Sequence, residues 1–163
     1  CQPELLDFLS GNLARLGVDL ALETCGHFPW PDNEASLARM DLVYFDLKHM
    51  DDTAHARLTG VGNAAILENA IRIARLGRPM VVRIPLIQGL NDSAENLAAT
   101  ARFVARDLGS RIPVEVLPYH ALGRAKYQAI GQTYGLDGLS SPAPEQVAWA
   151  KAELTRGGAT VVR

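Results

Sequence analysis

The sequence predicts an α/β protein built on a parallel-stranded sheet. Three observations carry the prediction. Short apolar runs alternate four times with longer segments of helical apolar spacing, the order that parallel strands with crossover helices require. Glycine or a capping residue marks many of the junctions. The strand-like runs end in charged or polar side chains, and strand ends are where ligand chemistry gathers in such sheets. The clearest case is Asp46-Leu47-Lys48-His49-Met50-Asp51, which closes the run Leu42-Val43-Tyr44-Phe45.

In chain order the elements are these. Leu5, Leu6, Phe8, Leu9, Leu13 and Leu16 give helical spacing from Pro3 to Leu16, stopped by Gly17. Val18 to Thr24 alternates as a strand. His27 to Asp32 holds two prolines and reads as a loop. Glu34 to Met40 is a short helix and Asp41 to Lys48 the second strand. Asp51 to Leu58 is a brief helix closed by Thr59-Gly60. Asn63 to Leu76 is amphipathic, with Ile66, Leu67, Ile71, Ile73 and Leu76 on its stripe. Met80 to Ile87 is the third strand. Asp92 with Glu95 matches a capping box and opens a helix running to Leu108. Ile112 to Leu117 is the fourth strand. Ala121 to Ile130 is helical, and a loop rich in Gly, Ser and Pro continues through Pro144. Glu145 to Arg156 is the last helix and Ala159 to Arg163 a final strand. Four central strands are too few to close a barrel. The residues leave two sheets open: a doubly wound sheet, or an arc of a β/α barrel.

With 163 residues, 48% of them hydrophobic and 21% charged, the chain has the size and composition of one globular domain. A net charge of −2 with scattered Lys and Arg argues against a nucleic-acid or anionic-membrane surface. No apolar run is long enough to span a bilayer. The first residues carry no basic-then-apolar signal pattern, so the cytoplasm is the expected compartment. The two cysteines, Cys1 and Cys25, lack CxxC spacing and offer no closed zinc or cluster site between them.

Residues two apart share a face of a strand. Ala21 with Glu23, Tyr44 with Asp46 and Lys48, Val81 with Arg83 and Pro85, and Val116 with Pro118 and His120 form such sets. If these faces point inward, Glu23, Asp46, Lys48, Arg83 and His120 meet at one mouth. Carboxylates beside cations there suit a zwitterionic ligand. Each has a plainer reading: Glu23 and Asp46 as helix caps or ion-pair partners, His120 as a loop histidine. Gly60-Val61-Gly62 lacks the third glycine of a dinucleotide fingerprint and reads as a turn. His49 and His55 are expected to face solvent, and Trp30 and Trp149 to pack. Ser10 and Ser93 have no partners at a hydrolase spacing.

Five segments together resemble a known family. They are Leu22-Glu23-Thr24-Cys25-Gly26; Asp46-Leu47-Lys48-His49-Met50-Asp51 with Leu58-Thr59-Gly60-Val61; Arg83-Ile84-Pro85 with Gly89-Leu90-Asn91-Asp92; Leu117-Pro118-Tyr119-His120 with Leu122-Gly123 and Lys126-Tyr127; and Leu136-Asp137-Gly138-Leu139. In order and spacing the chain is similar to radical S-adenosylmethionine enzymes that activate glycyl-radical enzymes, of the pyruvate formate-lyase activating type. The resemblance implies an incomplete barrel of β/α units. It also implies a 4Fe–4S cluster held by three cysteines, binding S-adenosylmethionine at its open iron. One-electron cleavage then yields a 5′-deoxyadenosyl radical that removes hydrogen from a glycine of the partner. By position Asp46, Leu47, Lys48 and His120 match S-adenosylmethionine contacts, and Arg83 an arginine at the mouth. Glu23, Thr24 and Asp46, with the Tyr44 carbonyl, match a monovalent-cation site. The implied partners are a glycyl-radical enzyme such as pyruvate formate-lyase and a flavodoxin-type or ferredoxin-type reductant.

Two departures stand out. The three-cysteine motif and the Gly-Gly-Glu-Pro strand end of that family do not occur, while Gln2-Pro3-Glu4 resembles the family's residues just after that strand end. Residues 1–163 are therefore expected to be one domain holding the last four β/α units with the C-terminal helix and strand, and to be inactive alone. An exposed edge at Val18 to Thr24 is expected to promote self-association. The alternatives are another radical S-adenosylmethionine enzyme, acting on a ribonucleotide reductase or a small molecule; a binding module without a cluster; and an aldolase-type barrel using Lys48.

Overall fold

A computed structural model describes residues 2–162. One sheet contains five strands in the order β1-β2-β3-β4-β5. They are β1 Ala21–Thr24, β2 Leu42–Asp46, β3 Met80–Leu86, β4 Pro113–Pro118 and β5 Thr160–Val162. All neighbours are parallel. Helix α1 Pro3–Arg15 precedes the sheet, and α2 Glu34–Leu37 joins β1 to β2. Helices α3 Asp52–Thr59 and α4 Ala64–Arg75 join β2 to β3, and α5 Ala94–Phe103 joins β3 to β4. Helices α6 Arg124–Ala129 and α7 Pro144–Arg156 lead to β5.

Strand order equal to chain order has a topological consequence. Right-handed crossovers that always step the same way put every connecting helix on one face. Burial agrees. Val43, Phe45, Val82, Ile84, Leu86, Val114 and Val116 share a face and are almost inaccessible, packed with Leu37, Ile66, Ile73, Leu97 and Leu154 of the helices. Tyr44, Asp46, Arg83, Pro85, Glu115 and Leu117 on the other face are only half-buried. A doubly wound sheet is covered on both sides. The one-sided cover is that of an arc of a β/α barrel.

Local chemistry explains the elements and some shifted boundaries. The Asp51 side chain accepts from the Ala54 amide at 2.7 Å to start α3, and Gly60 at φ 86° ends it. The cap of α5 is Ser93, which accepts from the Asn96 amide at 3.2 Å, and not Asp92. Asp92 instead accepts from the Gly89 amide at 2.7 Å and closes the preceding turn. The last turns of the same helix, Val104–Gly109, widen to π geometry. Gly26 is required at the end of β1: its φ is 76°, and a Cβ there would overlap the Phe45 ring.

β1 is shorter than its apolar run because only one side is paired. Val18–Leu20 lie outside the ladder, though the Leu20 carbonyl still accepts from the Asp41 amide at 2.8 Å. The outer edge of β1 is unpaired among the described residues. Nearby, Leu5, Phe8 and Leu9 of α1 are exposed, as are Leu16 and Val18 after it, so α1 carries an apolar face that nothing covers among the described residues. Two expectations are corrected. His55 is buried, its Nδ1 lying 2.7 Å from the Val61 carbonyl, because α3 turns its inner face to the loop after it. Trp149 is exposed on α7, whereas Trp30 packs against the core with the Arg72 guanidinium over its ring. The final residue of the last expected strand, Arg163, lies outside the described residues. Among the described residues no helix is long and apolar enough to cross a membrane.

Candidate functional site

The parallel sheet brings all strand C-termini to one edge, and the polar residues there come from successive strands. Asp46 ends β2 and is in register with Arg83 on β3. Arg83 is in register with Glu115 on β4. Glu23 on β1 is in register with Tyr44 on β2. All lie on the uncovered face. The Arg83 guanidinium stacks on the Tyr44 ring, 3.6 Å from its centroid. Its Nε donates to Glu115 Oε2 at 2.8 Å and its Nη1 to Glu23 Oε1 at 2.7 Å. One arginine thus ties three strands together and is fixed over the fourth.

The electrostatics are opposed at Asp46. Burial pushes its carboxyl above the usual range; Lys48 and then Arg83 pull it down, and Glu23 pushes it up again. Burial also works against the Arg83 charge, but the bonds from Glu23 and Glu115 outweigh it and hold Arg83 above the usual arginine value. Glu23, Asp46 and Glu115 face Lys48 and Arg83: one more carboxylate than cations. Lys48 makes no ion pair among the described residues.

Beside this rim lies a cleft of about 550 Å³. Asp46, Lys48, Pro85 and Asn91 form its floor, and Leu58 and Thr59 of α3 one wall. Tyr127, Tyr134 and Leu136, from the segment between β4 and α7, form its roof. The Tyr119 and Tyr134 hydroxyls lie 2.8 Å apart, and the Tyr127 and Tyr134 rings meet edge to face at 5.2 Å. The hydrogen bond from Tyr119 is the largest cause that holds the Tyr134 hydroxyl above the usual tyrosine range. A charged, half-open floor under an aromatic roof can take a ligand that is ionic at one end and apolar at the other.

Most of the residues singled out in the sequence meet here. Glu23, Asp46, Lys48 and Arg83 share the rim. Leu47 comes directly after Asp46, but its side chain is buried in the core, which leaves only its backbone to face a ligand. Thr24 is on the opposite face of β1 from Glu23, and its hydroxyl accepts from the Gly26 amide at 3.0 Å. His120 stands exposed just past β4, at the same edge of the sheet. The face assigned to β4 is corrected. Val116 packs into the helix layer opposite Ile84, so the set reaching the rim is Glu115 and Leu117, not Val116 and Pro118. Glu115 was missed for that reason. Its register with Arg83 is the signal, and a single strand's sequence does not carry it. Asn63, Asn91 and Asn96 were missed as well: an asparagine at a loop or helix start, like Asn91 or Asn63, looks like turn chemistry, and Asn96 in α5 looks like an ordinary polar helix position.

The fold has counterparts among solved structures. A radical S-adenosylmethionine methyltransferase from Sphaerobacter thermophilus matches in fold, with a TM-score of 0.66 at 19% identity over 90% of this chain and 41% of that one. No family model matches the chain. A domain of pyruvate-formate lyase-activating enzyme from Bacteroides vulgatus superposes with a TM-score of 0.80 at 27% identity, covering 99% of this chain and 90% of that domain. The isethionate sulfite-lyase activating enzyme of Nitratidesulfovibrio vulgaris is 41% identical over 128 residues, 77% of this chain and 41% of that protein. The pyruvate formate-lyase 1-activating enzyme of Escherichia coli is 36% identical over 148 residues, 90% of this chain and 60% of that protein. The chain is a homologue of the activating enzymes of glycyl-radical enzymes. It spans about half the length of the curated relatives it matches.

Proposed function

We propose that this chain is the C-terminal part of a cytoplasmic activating enzyme that binds S-adenosylmethionine and installs a glycyl radical on a partner of pyruvate formate-lyase type. One observation supports it most: the rim of Asp46, Lys48 and Arg83 opens beside a cleft of about 550 Å³ in a homologue of such enzymes. S-adenosylmethionine carries a carboxylate, an ammonium and a sulfonium, a net positive charge. A rim with one more carboxylate than cations complements it. Lys48, without an ion pair among the described residues, suits the ligand carboxylate, and Asp46 suits its cationic groups. The Leu47 backbone and His120 extend the same edge, and Arg83 frames the mouth. Glu23 and Asp46, with the Thr24 backbone and the Tyr44 carbonyl, are proposed to hold a monovalent cation beside the ligand carboxylate.

In such an enzyme a 4Fe–4S cluster would supply the electron and S-adenosylmethionine the radical chemistry directed at a glycine of the partner. The residues of this chain do not fit the cluster itself. Cys1 and Cys25 are its two cysteines, and a cluster of this kind takes three. The role of residues 1–163 is to bind and orient the cofactor, with a flavodoxin-type or ferredoxin-type reductant serving the cluster. The chain alone is expected to release no 5′-deoxyadenosine after anaerobic reconstitution with iron and sulfide.

Calorimetric titration of the purified chain with S-adenosylmethionine tests the reading. Binding is expected, and Lys48→Ala and Asp46→Asn are each expected to weaken it by about tenfold, the loss of one charge-assisted bond. A folded chain that takes up no S-adenosylmethionine removes the proposal. The unpaired β1 edge and the bare face of α1 are further proposed to drive self-association of this chain. Light scattering after size exclusion is expected to give a mass that rises with concentration, and a constant monomer mass refutes it.

A further inference from the structure

The loop after Lys48 is held by three buried asparagines from three different elements. Asn91, between β3 and α5, is 4% exposed and uses its whole side chain. Its Nδ2 donates to the Lys48 carbonyl at 3.0 Å and to the Pro85 carbonyl at 2.7 Å, and its Oδ1 accepts from the Ile87 amide at 2.8 Å. Asn96 on α5 donates to the Asn91 carbonyl at 2.7 Å and accepts from the Met50 amide at 2.9 Å. Asn63, just before α4, donates to the His49 carbonyl at 3.0 Å and the Met50 carbonyl at 2.8 Å. A buried carbonyl without a partner is costly, so each bond is strongly enforced.

We propose that Asn91 is a positioning residue for the cleft. It clamps the carbonyl of Lys48, past the end of β2, to the backbone of Pro85 and Ile87 at the end of β3. Asp46 and Lys48 are thereby aimed at the cleft, whose floor includes Asn91 itself. An amide is the one side chain of this size that supplies two donors and an acceptor in a plane. Asp has the same shape but turns an oxygen toward two carbonyls. The ligand-binding arm of the proposal rests on the cofactor reading above; its other arm does not.

Two measurements on the purified chain test this, using Asn91→Asp and Asn91→Ser. The first is the rate of lysine acetylation by a small reagent, tracked residue by residue by mass spectrometry. Lys48, Lys126 and Lys151 are the lysines of the chain. The Lys48 rate is expected to change about fivefold or more, while Lys151 on α7, an internal monitor of folding, keeps its rate. The second is S-adenosylhomocysteine affinity, expected to fall about tenfold or more in both variants. In Asn91→Asp the loss is expected to shrink as pH is lowered, because a protonated carboxyl regains one donor; Asn91→Ser gains nothing there. A role confined to overall folding would move the Lys151 rate along with the Lys48 rate. Lys48 rates and affinities within twofold of the parent in either folded variant overturn the inference. If the parent binds no S-adenosylhomocysteine while the Lys48 rate still responds, the cofactor reading fails and the positioning role stands.

Discussion

The floor and the roof of the cleft are built by opposite means. At the floor, the segment from Lys48 to Met50 hangs on three buried asparagines, and Leu47 continues the sheet by donating to the Arg83 carbonyl at 2.9 Å. The roof, Ala121 to Ala143, is exposed along most of its length. It rests on the Tyr119–Tyr134 bond and on the solvent-facing pair of Arg124 with Asp137 at 2.6 Å. Buried polar bonds are expensive to break, and exposed ones exchange readily with water. The difference teaches a division of labour: the strand-end charges are anchored by buried bonds, and the aromatic cover rests on bonds exposed to solvent.

Breaking the floor is expected to give the largest effect. Asn96→Ala strands the Met50 amide and the Asn91 carbonyl, and should cost about 3 kcal/mol in urea unfolding. A smaller effect is expected where rim meets sheet. Glu115, half-buried against Arg83, should cost about 1–2 kcal/mol when changed to Gln, and the more exposed Glu23 less than about 1 kcal/mol. Equal costs would mean that burial does not grade the two arms of the Arg83 clamp.

Asp46 sharpens the comparison by its sign. Its carboxyl titrates above the ordinary value of 3.8 in the folded chain, so the folded state resists its ionisation. Below the unfolded value both states are protonated and Asp46 costs nothing. As pH rises through the raised folded value the penalty develops, and it persists at neutral pH. Asp46→Asn is therefore expected to raise the melting temperature at pH 7 and to lose that advantage near pH 3. A variant less stable than the parent at pH 7 would show that Lys48 and Arg83 more than offset the burial.

The smallest effects on stability belong to the roof. Tyr134→Phe and Arg124→Ala are expected to leave the melting temperature unchanged, while proteolysis between residues 124 and 142 speeds up. If proteolysis is unaffected, or the whole chain melts earlier, the roof is part of the same cooperative unit as the floor.

The fold was legible because each helix announces its buried stripe and each strand its apolar run. Ile66, Ala70 and Ile73 fall on the inner face of α4, and Val82, Ile84 and Leu86 on the covered face of β3. The rim was legible as far as single strands carry it: Asp46, Lys48 and Arg83 emerge from period two alone. Glu115 did not, because which parity of β4 faces inward is set by its register with β3, a property of two strands and not of one. His55 was misjudged for a related reason: its burial depends on the loop at Val61 folding back over α3. The asparagine clamp left no periodic trace, since side chain to backbone bonds obey no spacing rule.

The uncovered face has a consequence for how such a rim can change. The charged groups project from four successive β/α units, Asp46 and Lys48 sharing one, while most of the hydrocarbon that folds the chain lies on the far side of the sheet. A substitution at Lys48 or His120 therefore alters the charge of the rim without touching the packed core. Rim charge and core packing occupy opposite surfaces of the same strands, so one can change with little penalty to the other.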